Sequence, residues 1–149
     1  MVERLIIDAS VAAKWFLDDE EDIEKAEQFL IRLLAEEIEL HAPEILRYEL
    51  GNLLTRAQRD YKRTINREDT EKAYRYFCEL PITYHNLSDR DRQEVLSFAN
   101  QFHRGFYDSS YIWLARSLET KWLTSDHSYS SNLPTGFPVS NVLPLESTR

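Results

Sequence analysis

Four acidic residues stand along the 149-residue chain where their carboxylates could be brought together. They are Asp8, Glu49, Asp108 and Asp126. Oxygen ligands of this kind select magnesium or manganese, which prefer octahedral shells of oxygen atoms. An ion held in this way could orient a phosphodiester, lower the pKa of a bound water and stabilise the leaving oxygen. The four residues therefore indicate metal-dependent chemistry on phosphate esters.

Two of these acids follow strands that the sequence predicts. Asp8 comes directly after the apolar run 5–7, and Asp126 comes two residues after the predicted strand 121–124. In an open α/β sheet, ligands bind beyond the carboxyl ends of the strands. Taken singly, each acid also has a simpler interpretation, because Asp8 could be only the N-cap of the next helix and Asp126 only a turn residue.

The other two acids lie on predicted helices, beside apolar stripes. Glu49 is four residues from both Ile45 and Leu53, so it borders the apolar face of its helix, although a surface glutamate is the alternative. Asp108 is four residues from Ile112 and lies in the first turn of its helix, where the helix dipole favours a negative charge. Burial of a carboxylate is costly unless it is paired or bound to a metal, so both positions favour a cation site.

The elements that would position these acids alternate between strand and helix. The predicted strands are 5–7, 38–42, 82–84, 121–124 and 139–142. The predicted helices are 9–17, 23–37, 43–61, 67–80, 88–104 and 107–118, with Gly105 as the signal that ends the fifth. This alternation indicates an α/β fold. We expect a single domain over residues 1–149, with a central parallel sheet of about four or five strands flanked by helices.

Composition narrows the class of protein. Lys and Arg number 18 and Asp and Glu number 26, which gives a net charge of −8 and argues against a simple electrostatic nucleic-acid binder. A metal-dependent nuclease is compatible with this charge, because it must concentrate carboxylates. The sequence has no apolar run long enough for a membrane span or a signal peptide, so we expect a cytoplasmic protein. The one cysteine, Cys78, has no disulfide partner and is predicted to be a small core residue.

The segments around the four acids resemble the motifs of PIN domains, and most closely those of VapC toxins. The resembling segments are Ile7 to Trp15, Pro43 to Leu54, Tyr107 to Ala115 and Leu123 to Asp126. All four come in the family's order, and the resemblance covers essentially the whole chain. It departs from the usual pattern at Ser109 and Ser110, where small apolar residues are commoner, and at His127 after the last acid.

The resemblance implies a mechanism and partners. The three aspartates would hold the main magnesium or manganese ion, and Glu49 would join them directly or through water. Supporting roles would fall to the residues at the family's hydroxyl and amide positions, Ser10, Asn52 and Thr124. The implied activity is that of an endoribonuclease, in which water attacks an RNA phosphodiester. The implied partners are an antitoxin that covers the acidic cleft and a second copy of the chain, since homodimers are common in the family.

Basic residues near the acids are candidates for contacts with RNA. They are Lys14, Arg56, Arg59, Lys62 and Arg63. Residues 56, 59 and 63 follow Glu49 at a spacing that keeps them near its helix face, where they could bind phosphates through salt-sensitive contacts. The alternative is a solvated helix end whose charges pair with neighbouring acids.

Other functions remain as alternatives. An aspartyl-phosphate phosphatase usually carries a second acid two residues after the first, where this chain has Ser10. A serine hydrolase would need a Gly-x-Ser-x-Gly elbow, which the sequence lacks, and no Gly-rich phosphate loop is present. A catalytically inactive PIN fold that binds RNA or protein, or a PIN nuclease of RNA maturation, would share the same motifs.

Overall fold

A five-stranded parallel sheet forms the centre of the molecule in the computed structural model, which describes residues 2–149. The strands are β1 (Glu3–Ile7), β2 (Ile38–Pro43), β3 (Thr83–His85), β4 (Lys121–Thr124) and β5 (Val142–Pro144). The α-helices in the described part of the chain are α1 (Ala9–Ala12), α2 (Ile23–Leu34), α3 (Ile45–Arg59), α4 (Arg67–Glu79), α5 (Asp89–Phe102) and α6 (Phe106–Ser117). The α/β architecture with a parallel sheet of four or five strands is confirmed.

The strand order is β3-β2-β1-β4-β5, with β1 in the middle. The chain builds outward from β1 to β3, then returns to lay β4 on the other side of β1. Leu5 of β1 is in register with Leu40 of β2 and with Lys121 of β4. The direction of winding therefore reverses between β1 and β4. Their carboxyl ends form the crevice in which open α/β sheets bind ligands.

The second half of β1 is apolar because it is covered on both faces. Leu5, Ile6 and Ile7 are at most 3% exposed, and burial of each such side chain contributes about 1.5–3 kcal/mol. A strand that faced solvent on one side would instead alternate apolar and polar residues. Helix α6 packs against β1, β2 and β4, which brings its first turn to the crevice.

Local capping chemistry determines where some of the helices begin and end. Asn66 and Ser88 each form a reciprocal capping box at the start of α4 and α5. Gly105 does not end α5, contrary to the sequence prediction. The helix stops at Phe102, His103 takes the left-handed conformation with φ 54°, and Gly105 instead precedes α6 as its N-cap.

Three further predictions from sequence differ from the structure. The helix expected over 9–17 is a single α-turn that continues as the 3₁₀ turn Ala13–Trp15. The last strand begins only at Val142, because residues 139–141 form a 3₁₀ turn. Cys78 is exposed on α4 and is not a core residue, since Phe77 takes the inward position beside it.

No helix among residues 2–149 is both long enough and apolar enough to cross a membrane.

Candidate active site

Asp8 lies in the crevice at the end of β1, where it is 6% exposed. One carboxylate oxygen accepts a hydrogen bond from the Ser10 hydroxyl at 2.5 Å and from the backbone N–H of Val11 at 3.3 Å. The other accepts from the indole N–H of Trp122 at 2.9 Å. The bond from Val11 makes Asp8 the N-cap of α1. The capping role that the sequence suggested is thus present, but two further donors hold the side chain in the crevice.

Burial dominates the protonation of Asp8. Its pKa is raised from 3.8 to about 6 by desolvation, against the opposing effect of hydrogen bonds from Ser10, Thr124, Val11 and Trp122. Hydrogen bonds to a carboxylate stabilise its charged form and lower its pKa. Because the pKa of Asp8 is nevertheless raised, these hydrogen bonds do not offset the cost of burying its charge.

Glu49 approaches from α3 and is half-buried. Its Oε1 accepts a hydrogen bond from the hydroxyl of Tyr111 at 2.7 Å. Burial is the largest cause of its raised pKa, and the charges of Asp8 and Asp108 raise the pKa further. Glu49 therefore lies close enough to Asp8 and Asp108 for their negative charges to repel its own.

Asp108 lies in the first turn of α6, as the sequence predicts, and is half-buried. Its Oδ2 accepts a hydrogen bond from the hydroxyl of Tyr129 at 3.1 Å. Burial is the largest cause of its raised pKa and the charge of Asp126 adds to it, whereas the hydrogen bond from Tyr129 and the charge of Arg104 lower the pKa. Arg104 is a basic neighbour of the acids that sequence reasoning missed.

Asp126 follows β4 and is exposed. Its Oδ1 accepts hydrogen bonds from the backbone N–H and the hydroxyl of Ser128, so it forms the turn that the sequence suggested. Its own N–H donates to the hydroxyl of Thr124 at 3.2 Å. That hydroxyl lies 3.4 Å from the hydroxyl of Ser10. Ser10 and Thr124 thus link the carboxylate of Asp8 to the loop that carries Asp126.

A cleft of about 400 Å³ joins these residues. All four acids line it, together with Ser10, Asn52 and Arg56. Tyr48 and Tyr107 stand at its walls with more than half of each side chain exposed. The cleft therefore combines the acids with groups that can contact a polar ligand.

The donor set fits a hard divalent cation in its chemistry. It consists of carboxylate oxygens whose mutual repulsion a cation would relieve. One oxygen each of Glu49, Asp108 and Asp126 receives no hydrogen bond from residues 2–149. As the side chains stand, however, no three His, Cys, Asp or Glu residues in that part of the chain already converge as a metal-binding cluster. The four carboxylates line one cleft without meeting at a single point.

The predicted RNA-contacting residues are distributed over different surfaces. Arg56 is exposed and lines the cleft. Lys14 is buried beside Asp126, on the side that faces Glu21 and Glu146. The guanidinium of Arg63 is engaged by Asp19 at 2.5 and 2.8 Å. The remaining two, Arg59 and Lys62, are exposed near the end of α3 and do not line the cleft.

Three aromatic residues that contact the acids were not identified from sequence as part of the site. They are Tyr111, Trp122 and Tyr129. The signal that could have found them is chemical, because a buried Tyr or Trp needs a partner for its O–H or N–H. The aromatic cluster that the sequence does show, around Tyr74 and Phe77, packs between α3 and α4, and the hydroxyl of Tyr74 donates to the carbonyl of Arg47.

Comparison with known proteins gives a family match. The family model described as PIN domain matches residues 5–132. A search of curated protein sequences gives no significant match.

Solved structures share the fold at low sequence identity. VapC20 of Mycobacterium tuberculosis, described as a toxin that cleaves the sarcin–ricin loop, is 14% identical, with a TM-score of 0.62 over 87% of this chain and 99% of that one. PAE2754 of Pyrobaculum aerophilum is 20% identical, with a TM-score of 0.66 over 98% and 91%. A toxin–antitoxin complex from Klebsiella pneumoniae includes a chain that is 11% identical, with a TM-score of 0.63 over 95% and 97%. At these identities the likeness establishes the fold alone.

Proposed function

This chain belongs to the PIN domain family, and we propose that it is a metal-dependent endoribonuclease that acts as the toxin of a toxin–antitoxin pair. The observation that carries the proposal is the meeting of Asp8, Glu49 and Asp108 at one crevice, each with a raised pKa. The burial of three acids without a cationic partner for each lowers the stability of the fold, which indicates that the acids serve a function. A divalent cation that binds there would remove the penalty.

The four acids would share the binding of magnesium or manganese. The bound ion would neutralise charge on a phosphodiester and lower the pKa of an attacking water. The protein's own part is to hold the ligands: Ser10 fixes Asp8 through a 2.5 Å hydrogen bond, and Thr124 fixes the loop of Asp126. Asp8 must be deprotonated to bind a cation, so the site works best above the raised pKa of about 6.

RNA is the substrate class that we propose, and exposed basic residues in and near the cleft would bind its phosphates. Arg56 contacts a phosphate in the cleft, where Asn52 offers an amide on the same helix. Arg59 and Lys62 extend this contact along the RNA backbone. Lys14 is buried beside Asp126 and Arg63 is paired with Asp19, so we assign neither of them a direct contact with the RNA.

An antitoxin protein is the proposed partner. The support is the fold shared with a chain of the Klebsiella pneumoniae toxin–antitoxin complex. The antitoxin would cover the acidic cleft and keep RNA out. We also propose that the toxin is a homodimer that acts in the cytoplasm.

Cleavage of RNA by the purified protein tests the proposal. The wild type should cleave a fluorescently labelled RNA with magnesium or manganese and should stop when EDTA is added. Asp108→Asn should lower the rate by at least about 100-fold, because it removes one charged ligand. Glu68→Gln is the matched control, since Glu68 is exposed on α4 away from the cleft. Cleavage by Asp108→Asn at the wild-type rate, or no cleavage by the wild type with either metal, would contradict the proposal.

A further inference from the structure

Three aromatic rings form a continuous column beneath the acidic cleft. The rings of Tyr111 and Trp122 stack with centroids 6.0 Å apart and an interplanar angle of 12°. The ring of Tyr129 meets Trp122 edge to face, with centroids 4.6 Å apart. Tyr111 comes from α6, Trp122 from β4 and Tyr129 from the turn after β4. The column thus joins the elements that carry two of the four acids.

Each of the three aromatic side chains donates a hydrogen bond to a different acid. The pairs are Tyr111 with Glu49 at 2.7 Å, Trp122 with Asp8 at 2.9 Å, and Tyr129 with Asp108 at 3.1 Å. The three acids come from three different elements, and no two of the donors share an acceptor. One packed unit therefore contacts three carboxylates at once.

The column is rigid enough to determine where its polar tips lie. All three residues are at most 3% exposed, and packed interiors hold aromatic side chains in single rotamers. The hydroxyls of Tyr111 and Tyr129 are the donors in their contacts, because an ionised carboxylate can only accept hydrogen bonds.

Arg104 supports the outer end of the column. Its guanidinium carbon lies 5.0 Å from the centroid of the Tyr129 ring and 5.7 Å from that of Phe137. Its Nε is buried and has no hydrogen-bond partner within the described residues. The cation is thus held by aromatic faces close to Asp108, whose pKa it lowers.

We propose that Tyr111, Trp122 and Tyr129 are positioning residues that act as one unit, setting the carboxylates of Glu49, Asp8 and Asp108 for the metal ion. The effect on metal binding rests on the proposed function, whereas the hold on the carboxylates does not. Removal of one donor lets one acid move, and disturbance of Trp122 loosens all three. Partners of this kind typically change metal affinity or activity by about 10- to 100-fold when they are lost.

Manganese binding to the purified protein without RNA is the first test. Titration calorimetry should show a Kd about tenfold weaker for Tyr111→Phe and for Tyr129→Phe than for the wild type. Each change removes one oxygen atom and keeps the ring. Tyr74→Phe is the matched control, because its hydroxyl donates to the carbonyl of Arg47 away from the acids. In RNA cleavage the two variants should lower kcat more than they change KM, and Tyr74→Phe should change neither.

Double-mutant cycles without metal separate this inference from the proposed function. Each cycle measures urea unfolding in EDTA. The first compares the effect of Tyr111→Phe in the wild type with its effect in Glu49→Gln. The second compares the effect of Tyr129→Phe in the wild type with its effect in Asp108→Asn. In each pair, the unfolding equilibrium constant should show a coupling of at least about threefold. If the wild type does not bind manganese but both couplings are present, only the proposed function is rejected. Absence of coupling in both cycles, or variants that bind manganese like the wild type, would overturn the positioning role.

Discussion

Asp8 is the acid whose charge costs the folded protein most. Its pKa is raised to about 6, so the folded state holds a proton that the unfolded chain releases near pH 4. The stability from this proton is fully present below the unfolded pKa and is lost as the pH rises through about 6. Without metal, the protein should therefore be more stable at pH 5 than at pH 7.5, by about 1 kcal/mol from this group.

Asp8→Asn should remove that part of the pH dependence. Urea unfolding in EDTA at pH 5 and pH 7.5 measures it, with the exposed Asp18→Asn as the control. Asn cannot ionise, so the difference between the two pH values should shrink in Asp8→Asn and stay unchanged in the control. An equal difference in all three proteins would show that the pKa of Asp8 is not raised in the folded protein.

Arg56 is the basic residue best placed to contact RNA in the cleft. It is exposed and carries no ion pair within residues 2–149. Arg56→Gln should raise KM for RNA and reduce the slope of log affinity against log salt by about 1, because one phosphate contact is lost. The control is Lys72→Gln on α4, outside the cleft. A salt slope equal to that of the wild type would place the phosphate contact elsewhere.

At the scale of elements, the end of α5 shows strain that a substitution can relieve. His103 closes this helix with φ 54°, a conformation in which a side chain costs about 1 kcal/mol relative to glycine. The residue is exposed, so little packing opposes a change. The turn also sets where Arg104 enters the site.

His103→Gly should raise the free energy of unfolding by about 0.5 to 1 kcal/mol, because glycine adopts a positive φ without the Cβ clash. Gln101→Gly, two residues earlier and inside α5, should lower it by about 1 kcal/mol. Urea denaturation measures the free energy of unfolding of both variants. Because each introduces glycine, the comparison isolates the effect of the backbone conformation at the two positions. Destabilisation by both would mean that His103 makes contacts that outweigh its backbone strain.

At the scale of the whole molecule, the proposed metal site should make the stability of the fold depend on divalent metal. A ligand that binds only the folded state adds RT ln(1 + [L]/Kd), which is about 2.7 kcal/mol at a hundredfold excess over Kd. The thermal unfolding temperature should rise by several degrees when manganese is added to the wild type. Asp108→Asn should lose most of this rise. A rise of equal size in both proteins would mean that the ion binds elsewhere on this acidic surface.

The sequence alone was sufficient to predict the parallel sheet, and it identified the four acids as candidates for a site. The buried run Leu5 to Ile7, the alternation of strands and helices and the position of Asp108 in a first turn are local patterns, determined by residues within one or two turns of each other. They correctly indicated a parallel α/β fold. The structure then brings the four acids that they pointed to into one cleft. The capping boxes at Asn66 and Ser88 are equally local.

Only the tertiary structure decided which groups hold the acids. Glu49 meets Tyr111 across 62 residues, and Asp8 meets Trp122 across 114. Periodicity indicates that such rings are buried but does not identify the polar group that their tips contact. The same limit explains the exposure of Cys78, since helix spacing did not show that Phe77 would take the inward position. Contacts between distant segments depend on how the layers pack, whereas the pattern along the chain records only which side of an element is covered.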